Sequence, residues 1–213
     1  MKYQLRNTLA ALSALALAAS FTGCGSSKSS KSGSESTTAS QTSSGIAGQY
    51  GANMIKHLST DGYEITAEVD YRFVTEDESK KLAKYIAAIG RSDGKLMEEA
   101  LYPAALDYVV KANSCSDAED YAKKLHQQLL QFTGEEYEFE YTVVEEYAGE
   151  NDMDFSKYDE IVLDADPDAQ ITDRKRLSVD ALYDGTNKSI NYRMGGYIDV
   201  YMYTINGEPY VLS

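Results

Sequence analysis

The chain has 213 residues, of which 20 are Lys or Arg and 34 are Asp or Glu. The first 45 residues hold four of these bases and one of these acids, so residues 46–213 carry a net charge of −17. That charge disfavours nucleic acids and anionic lipids as direct partners, because both bind to basic surfaces.

The N-terminal segment has the composition of an export signal followed by a tether. Lys2 and Arg6 precede an apolar stretch, residues 8–19, which is shorter than the roughly 20 apolar residues that span a bilayer. Small residues then lead to Cys24. Residues 25–45 are mostly Ser, Thr and Gly, and such a segment buries too little apolar surface to fold, so we expect a flexible tether.

The stretch Phe21-Thr22-Gly23-Cys24 resembles the lipobox of bacterial lipoproteins. In that family the cysteine sulfur receives a diacylglycerol and the chain is cut just before it. Gly23 matches the small residue at the cut, whereas Phe21 replaces the usual Leu. The resemblance implies a lipoprotein signal peptide over 1–23, a tether over 24–45 and a lipid anchor, palmitate included, that holds the protein at the extracytoplasmic face of the cell membrane. The alternative is an ordinary secretory signal cut nearby, with Cys24 incidental.

Residues 46–213 are long enough for a single domain with a sizeable core. Residues 63–74 alternate between apolar and polar, which predicts a half-buried strand. Thr75 and Glu78 have the spacing of a capping box and predict a helix that Gly90 closes. Further helical segments are predicted at 93–102, from Pro103 onward, and from a capping box at Ser116 and Glu119 to Gly134.

The remaining residues predict strands at 137–143, 176–183 and 195–205, and a hairpin turn at Asn206-Gly207. The acidic stretch 149–173 is predicted to be a surface excursion around a short segment at 161–163. In the last long strand the apolar face, Ile198, Val200 and Met202, is predicted to pack on helix residues Leu82, Ile86, Leu125 and Leu129.

Helices followed by strands that end on VYMYTINGEPYVL resemble the nuclear transport factor 2-like superfamily, which includes ketosteroid isomerase, SnoaL-like cyclases and many small bacterial lipoproteins. Residues 200–205, Gly207 and Tyr210 carry the resemblance. The chain departs from the pattern at Pro209-Tyr210, where Trp is common, and by an added strand before the first helix. The resemblance implies an α+β domain, nuclear-transport-factor-2-like or cystatin-like, with N-terminal helices packed on a curved antiparallel sheet. It implies no activity.

Tyr197, Asp199, Tyr201 and Tyr203 share the second face of the last long strand and are the candidate ligand-binding residues. Exposed tyrosines can stack on sugars or contact a protein. In the alternative hypothesis this face lines a pocket, burial raises the pKa of Asp199, and its carboxylate is the proton-abstracting base of an isomerase or cyclase. The simpler interpretation leaves Asp199 in water.

Asp164, Asp166 and Asp168 have the spacing that opens a calcium loop, but Ala169 and Lys175 occupy positions that the loop needs for Gly and Glu. We therefore interpret them as an acidic turn, with a weak calcium site as the alternative. His57 and His126 lack the spacing of a zinc site. With Cys24 lipidated, Cys115 has no partner for a disulfide and is interpreted as a small turn residue.

These observations predict a lipid-anchored, extracytoplasmic binding or accessory module of the cell envelope, with no enzymatic activity, metal or cofactor. The expected partners are the membrane, through the anchor, and an envelope protein, a glycan or a small apolar molecule. Nucleic acid is not expected.

Overall fold

The computed structural model describes residues 49–59, 63–185 and 188–212. The predicted signal peptide, the tether and Cys24 lie outside these residues. The helices of the described part are α1 (Glu76–Arg91), α2 (Gly94–Ala100), α3 (Pro103–Ala112), α4 (Ala118–Thr133), α5 (Ser156–Ala165) and α6 (Ile190–Met194). Its strands are β1 (Met54–Ser59), β2 (Ile65–Asp70), β3 (Phe139–Gly149), β4 (Ile171–Tyr183), β5 (Lys188–Ser189), β6 (Ile198–Ile205) and β7 (Glu208–Val211).

The described strands form one sheet in the order β1-β2-β3-β4-β6-β7, with β5 paired to the end of β4. Neighbouring strands are antiparallel except β2 and β3, which run parallel where residues 66–68 meet residues 141–143. The expectation of an antiparallel sheet is wrong in this pairing, and the fold is α+β with a mixed sheet that curls into a half-barrel. The chain passes through α1 to α4 between β2 and β3, and a crossover of that length can return in the parallel direction.

Helix α1 begins as predicted. The Thr75 hydroxyl accepts the backbone N–H of Glu78 at 3.3 Å, and the Glu78 carboxylate accepts the backbone N–H of Thr75 at 2.8 Å. The predicted end at Gly90 is wrong, because the helix continues to Arg91 and ends on Ser92, which has a φ of 55°. A Cβ on Gly90 would lie 3.2 Å from Phe139, so this glycine permits the close approach of β3.

The turn chemistry of the other elements is close to prediction. Helix α3 begins at Pro103, and α4 ends on Gly134 with a φ of 71°. The cap of α4 is Asp117 rather than Ser116, and its side chain accepts the backbone N–H of Asp120 at 2.9 Å. Asn206 and Gly207 take φ values of 54° and 86°, as the predicted two-residue hairpin between β6 and β7 requires.

The main core lies between the sheet and helices α1, α2 and α4. Val200 and Met202 of β6 are fully buried there, in the same cluster as Leu82 and Ile86 of α1. The predicted inward face of β6 is therefore confirmed. Each such side chain contributes on the order of 1.5–3 kcal/mol of transfer free energy when fully buried.

A second core lies on the outer face of the sheet, which we define as the face turned away from α1 and α4. There Phe155 and Val162, before and within α5, pack with Tyr203 and Ile205 of β6. The prediction of a surface excursion over 149–173 is wrong for this segment. Its apolar residues recur at helical spacing and give α5 an inward stripe that covers part of the outer face.

Candidate functional site

The four candidate ligand-binding residues of β6 do not share one environment. Tyr203 is fully buried beneath α5, where its hydroxyl donates to the backbone carbonyl of Phe155 at 3.2 Å. Burial raises the pKa of Tyr203 far above its ordinary value. Tyr201 is half-buried, with its ring 4.3 Å from the ring of Tyr158 on α5. Tyr203 is therefore a core residue and not a ligand contact, and Tyr201 lies at the margin of the second core.

Asp199 lies on the outer face, with 44% of its side chain exposed. The Ser178 hydroxyl donates to Asp199 Oδ1 at 3.0 Å, and Arg176 Nη1 lies 3.6 Å from Asp199 Oδ2. The hypothesis of Asp199 as a base requires a carboxylate enclosed in a cavity. The observed carboxylate is open to water and paired with a guanidinium, so this geometry gives that hypothesis no support.

Helix α6 and the turn that follows it place two tyrosines on the surface. The Ser189 hydroxyl accepts the backbone N–H of Tyr192 at 3.0 Å, and Gly195 ends the helix with a φ of 71°. Tyr192 is 85% exposed and Tyr197, which directly precedes β6, is 51% exposed. A Cβ on Gly195 or Gly196 would meet no atom within 4 Å, so the space above the turn between the two tyrosines is open.

We define the α6–β6 surface as Tyr192, Arg193, Tyr197, Asp199 and Arg176. Tyr197 and Asp199 were predicted from the sequence, whereas Tyr192, Arg193 and Arg176 were not. The sequence nevertheless indicates that Tyr192 and Arg193 are exposed. These two large residues lie shortly before Gly-Gly, which is typical of a turn, and turns lie at the surface.

A buried carboxylate on β4 fixes the position of α6 against the sheet. Asp180 of β4 is 6% exposed, and its carboxylate accepts the backbone N–H of Asn191 at 3.1 Å in the first turn of α6. Glu145 of β3 lies close by. Burial, with the nearby charges of Asp180 and Glu146, raises the pKa of Glu145, and the Asn191 side chain partly offsets this shift. The backbone that carries Tyr192 is therefore held by a side chain of the central strand.

The three candidate calcium ligands do not form a metal site. Asp164 lies in the last turn of α5, and Asp166 and Asp168 lie in the turn beyond it. Asp166 Oδ1 accepts the backbone N–H of Asp168 at 3.1 Å, which uses this carboxylate to stabilise the turn. Within residues 49–59, 63–185 and 188–212, no three His, Cys, Asp or Glu side chains converge as metal ligands would.

Cys115 and His126 occupy positions at the edge of the main core. Burial, reinforced by the charge of Asp120, raises the pKa of the Cys115 thiol, which is the opposite of what a cysteine nucleophile needs. His126 stacks on Tyr137 with ring centroids 4.5 Å apart, and its Nδ1 lies 3.2 Å from the carbonyl oxygen of Ile89. These contacts give His126 a packing role.

Comparison of the chain with family models, with curated proteins and with solved structures found no match. No helix in the described part of the chain has both the length and the apolar character needed to cross a membrane.

Proposed function

We propose that this protein is a lipid-anchored binding module of the cell envelope and that its domain contacts a protein partner through the α6–β6 surface. The observation that carries the proposal is the exposure of Tyr192 and Tyr197 on either side of an open Gly-Gly turn. Large aromatic side chains bury more apolar area per contact than other residues. Here their apolar area is exposed to water, which is unfavourable in free energy, and a partner that covers it would remove this cost.

The composition of the α6–β6 surface supports a protein as the partner. Tyrosine and arginine are the residues that most often dominate protein–protein binding energy, and this surface has two of each. Asp199, two residues after Tyr197, pairs with Arg176, and the pair offers charged hydrogen-bonding groups to a partner. A rigid attachment of α6, through Asp180 and Asn191, lowers the entropy lost when a partner orders the surface.

The proposed anchor is Cys24, on the strength of the lipobox-like stretch and the Ser-rich segment after it. The substitution Cys24→Ser should release the protein from the membrane fraction, because no other acylation site of this kind is present at the junction. The measurement is fractionation of cells that make each form, with circular dichroism to show that the released protein is folded. Tight membrane association of the Cys24→Ser protein would contradict the anchor.

We also propose that the domain has a nuclear-transport-factor-2-like fold. Helices packed in the curve of a half-barrel sheet have the general shape of a nuclear-transport-factor-2-like domain, and the hairpin at Asn206-Gly207 closes the sheet as in that family's C-terminal pattern. This chain has two features in addition to that general shape: β2 pairs with β3 in parallel, and helix α5 covers part of the outer face.

The partner is tested by placing a photo-crosslinking amino acid at position 192 in cells that make the full-length chain. The matched control places the same group at Tyr71, which is 54% exposed and lies after β2, away from α6. We expect one defined protein adduct from position 192 that is absent from position 71 and is lost when Tyr197→Ala and Arg193→Ala are added. The same adducts from both positions, or none from position 192, would overturn the proposal.

A further inference from the structure

The two arginines of the α6–β6 surface differ from the other arginines of the domain in their partners. In the ranges that the structure describes, three arginines have a carboxylate oxygen at 2.6, 2.5 and 2.8 Å, and these are Arg72, Arg91 and Arg174, respectively. Arg176 and Arg193 have no carboxylate at hydrogen-bonding distance within those ranges. Such an arginine is an exception on a domain rich in Asp and Glu, and both exceptions belong to one surface.

Arg174 and Arg176, which share the outer face of β4, show the contrast directly. Arg174 donates from Nε to Asp159 at 2.8 Å and from Nη1 to Glu150 at 2.9 Å. Asp199 Oδ2 lies 3.6 Å from Arg176 Nη1, which is too long for a hydrogen bond. Arg176 Nε is buried and has no acceptor among the described residues, although 27% of the side chain is exposed. Arg176 therefore has hydrogen-bonding capacity that its own chain leaves unused and that solvent can reach.

Arg193 lies exposed in the last turn of α6. Asp180 and Glu145 lie close to Asn191 at the start of the same helix, but neither forms an ion pair with Arg193. A guanidinium group is planar and can bind a carboxylate through two parallel hydrogen bonds. Arg193 is therefore available to a carboxylate from outside the chain.

The spacing of the two arginines fits a short extended segment. Arg176 and Asp180 are four residues apart on β4, which is about 13 Å along a strand. Asp180 contacts the backbone of Asn191, which is two residues before Arg193. Four or five residues of an extended chain span about the same distance. Two carboxylates a few residues apart on one partner segment can therefore reach both guanidinium groups.

We propose that the partner contacts the α6–β6 surface with an acidic segment, two of whose Asp or Glu carboxylates bind Arg176 and Arg193. The inference rests on the proposed function, because it names the chemistry of the partner at the same surface. The negative charge of the domain opposes an acidic partner at long range, but salt screens this repulsion beyond about 8 Å at physiological ionic strength. The two arginine contacts form at shorter range, so their positions determine specificity.

The experiment gives the surface an amine that reports a carboxylate in direct contact. Arg193→Lys keeps the positive charge, and a water-soluble carbodiimide joins the new amine to a neighbouring carboxyl group through an amide bond. The full-length variant is treated in intact cells, and the crosslinked peptides are identified by mass spectrometry. We expect an amide between position 193 and an Asp or Glu of a second protein. The matched control, Tyr71→Lys, places the amine at an exposed position outside the surface and should not give this adduct.

A second measurement separates this inference from the proposed function. It records the protein adduct of the photo-crosslinking group at position 192 after Arg176→Gln and Arg193→Gln are added to the chain. The control, Lys80→Gln with Lys95→Gln, removes two positive charges from α1 and α2. We expect the surface substitutions to lower the adduct yield about fivefold or more, as the loss of charged hydrogen bonds predicts, and the control to leave it unchanged.

The outcomes are distinct. An amide to a partner's Asp or Glu, together with loss of the photo-adduct when both arginines are replaced, supports the inference. A photo-adduct that survives the loss of both arginines overturns the inference and leaves the proposed function intact. Loss of the photo-adduct without any amide to a partner's carboxyl group also overturns the acidic segment, in favour of another anion such as phosphate. If no photo-adduct forms with both arginines present, the inference and the proposed function both fail.

Discussion

The outer face of β6 has two regions that differ in burial, one covered by another element of the chain and one exposed to solvent. Near the C-terminal end of the strand, α5 covers Tyr203 and buries it completely. Near the N-terminal end, Asp199 and the preceding Tyr197 are exposed. Alternation along a strand therefore identifies the residues that face away from the main core, but it does not show whether a second layer of structure covers them.

The largest expected effect tests the covered region. The substitution Tyr203→Ala should reduce the free energy of unfolding by about 3–5 kcal/mol, as loss of a buried aromatic ring does. The carbonyl of Phe155 would lose the Tyr203 hydroxyl but keep the backbone N–H donors of Tyr158 and Asp159. Denaturant unfolding measures it. A loss below about 1 kcal/mol would mean that α5 contributes little and that the outer face is open along its whole length.

The inner face of the same strand provides the next effect. Val200 is fully buried in the main core, so Val200→Ala should cost about 1–3 kcal/mol through lost transfer free energy and an unfilled space. The measurement is again the free energy of unfolding. If this change were neutral while Asp199→Asn was severe, the two faces of β6 would be exchanged.

A smaller effect, dependent on pH, tests Glu145, the carboxylate of β3 that lies near Asp180. The pKa of Glu145 is raised above its ordinary value of 4.5 by burial and by the charges of Asp180 and Glu146. The unfolded chain therefore loses this proton at lower pH than the folded chain, and the native state loses stability as pH rises from 4.5 through the raised pKa. Glu145→Gln should be more stable than wild type above that range and equal to it below. Equal stability at every pH would show that Glu145 is fully solvated.

The smallest effect belongs to the open region. Asp199→Asn should change the free energy of unfolding by no more than about 0.5 kcal/mol, because the carboxylate is exposed and its pairing with Arg176 is a surface contact. The conservative amide can still accept a hydrogen bond from Ser178. A loss comparable with that of Val200→Ala would mean that Asp199 is enclosed, and the hypothesis of a catalytic base would regain support.

Local chemistry made part of this fold predictable. The capping box of α1, Pro103 at the start of α3 and the Asn206-Gly207 hairpin depend on residues only a few positions apart, and each was found. The inward face of β6 was predictable because a strand that buries one face has apolar residues at every second position. The parallel pairing of β2 with β3 was missed, because a strand's partner across four helices leaves no local pattern in the sequence.

The candidate site was predictable to a lesser degree. Tyr197 and Asp199 were identified from alternation alone, but the same reasoning included Tyr203, because no local signal reveals that α5 folds back over it. Tyr192 was missed because α6 is a five-residue helix, too short to show periodicity.

The most direct test of the central claim, that the uncovered part of the outer face is a partner-binding surface, is chemical modification of exposed tyrosines in the purified protein and in intact cells. We expect Tyr192, Tyr197 and Tyr71 to be modified in the purified protein and Tyr203 to remain unmodified. In cells Tyr192 and Tyr197 should be protected while Tyr71 is modified as before. Equal modification of Tyr192 and Tyr197 in both settings, or modification of Tyr203 in the folded protein, would contradict the account.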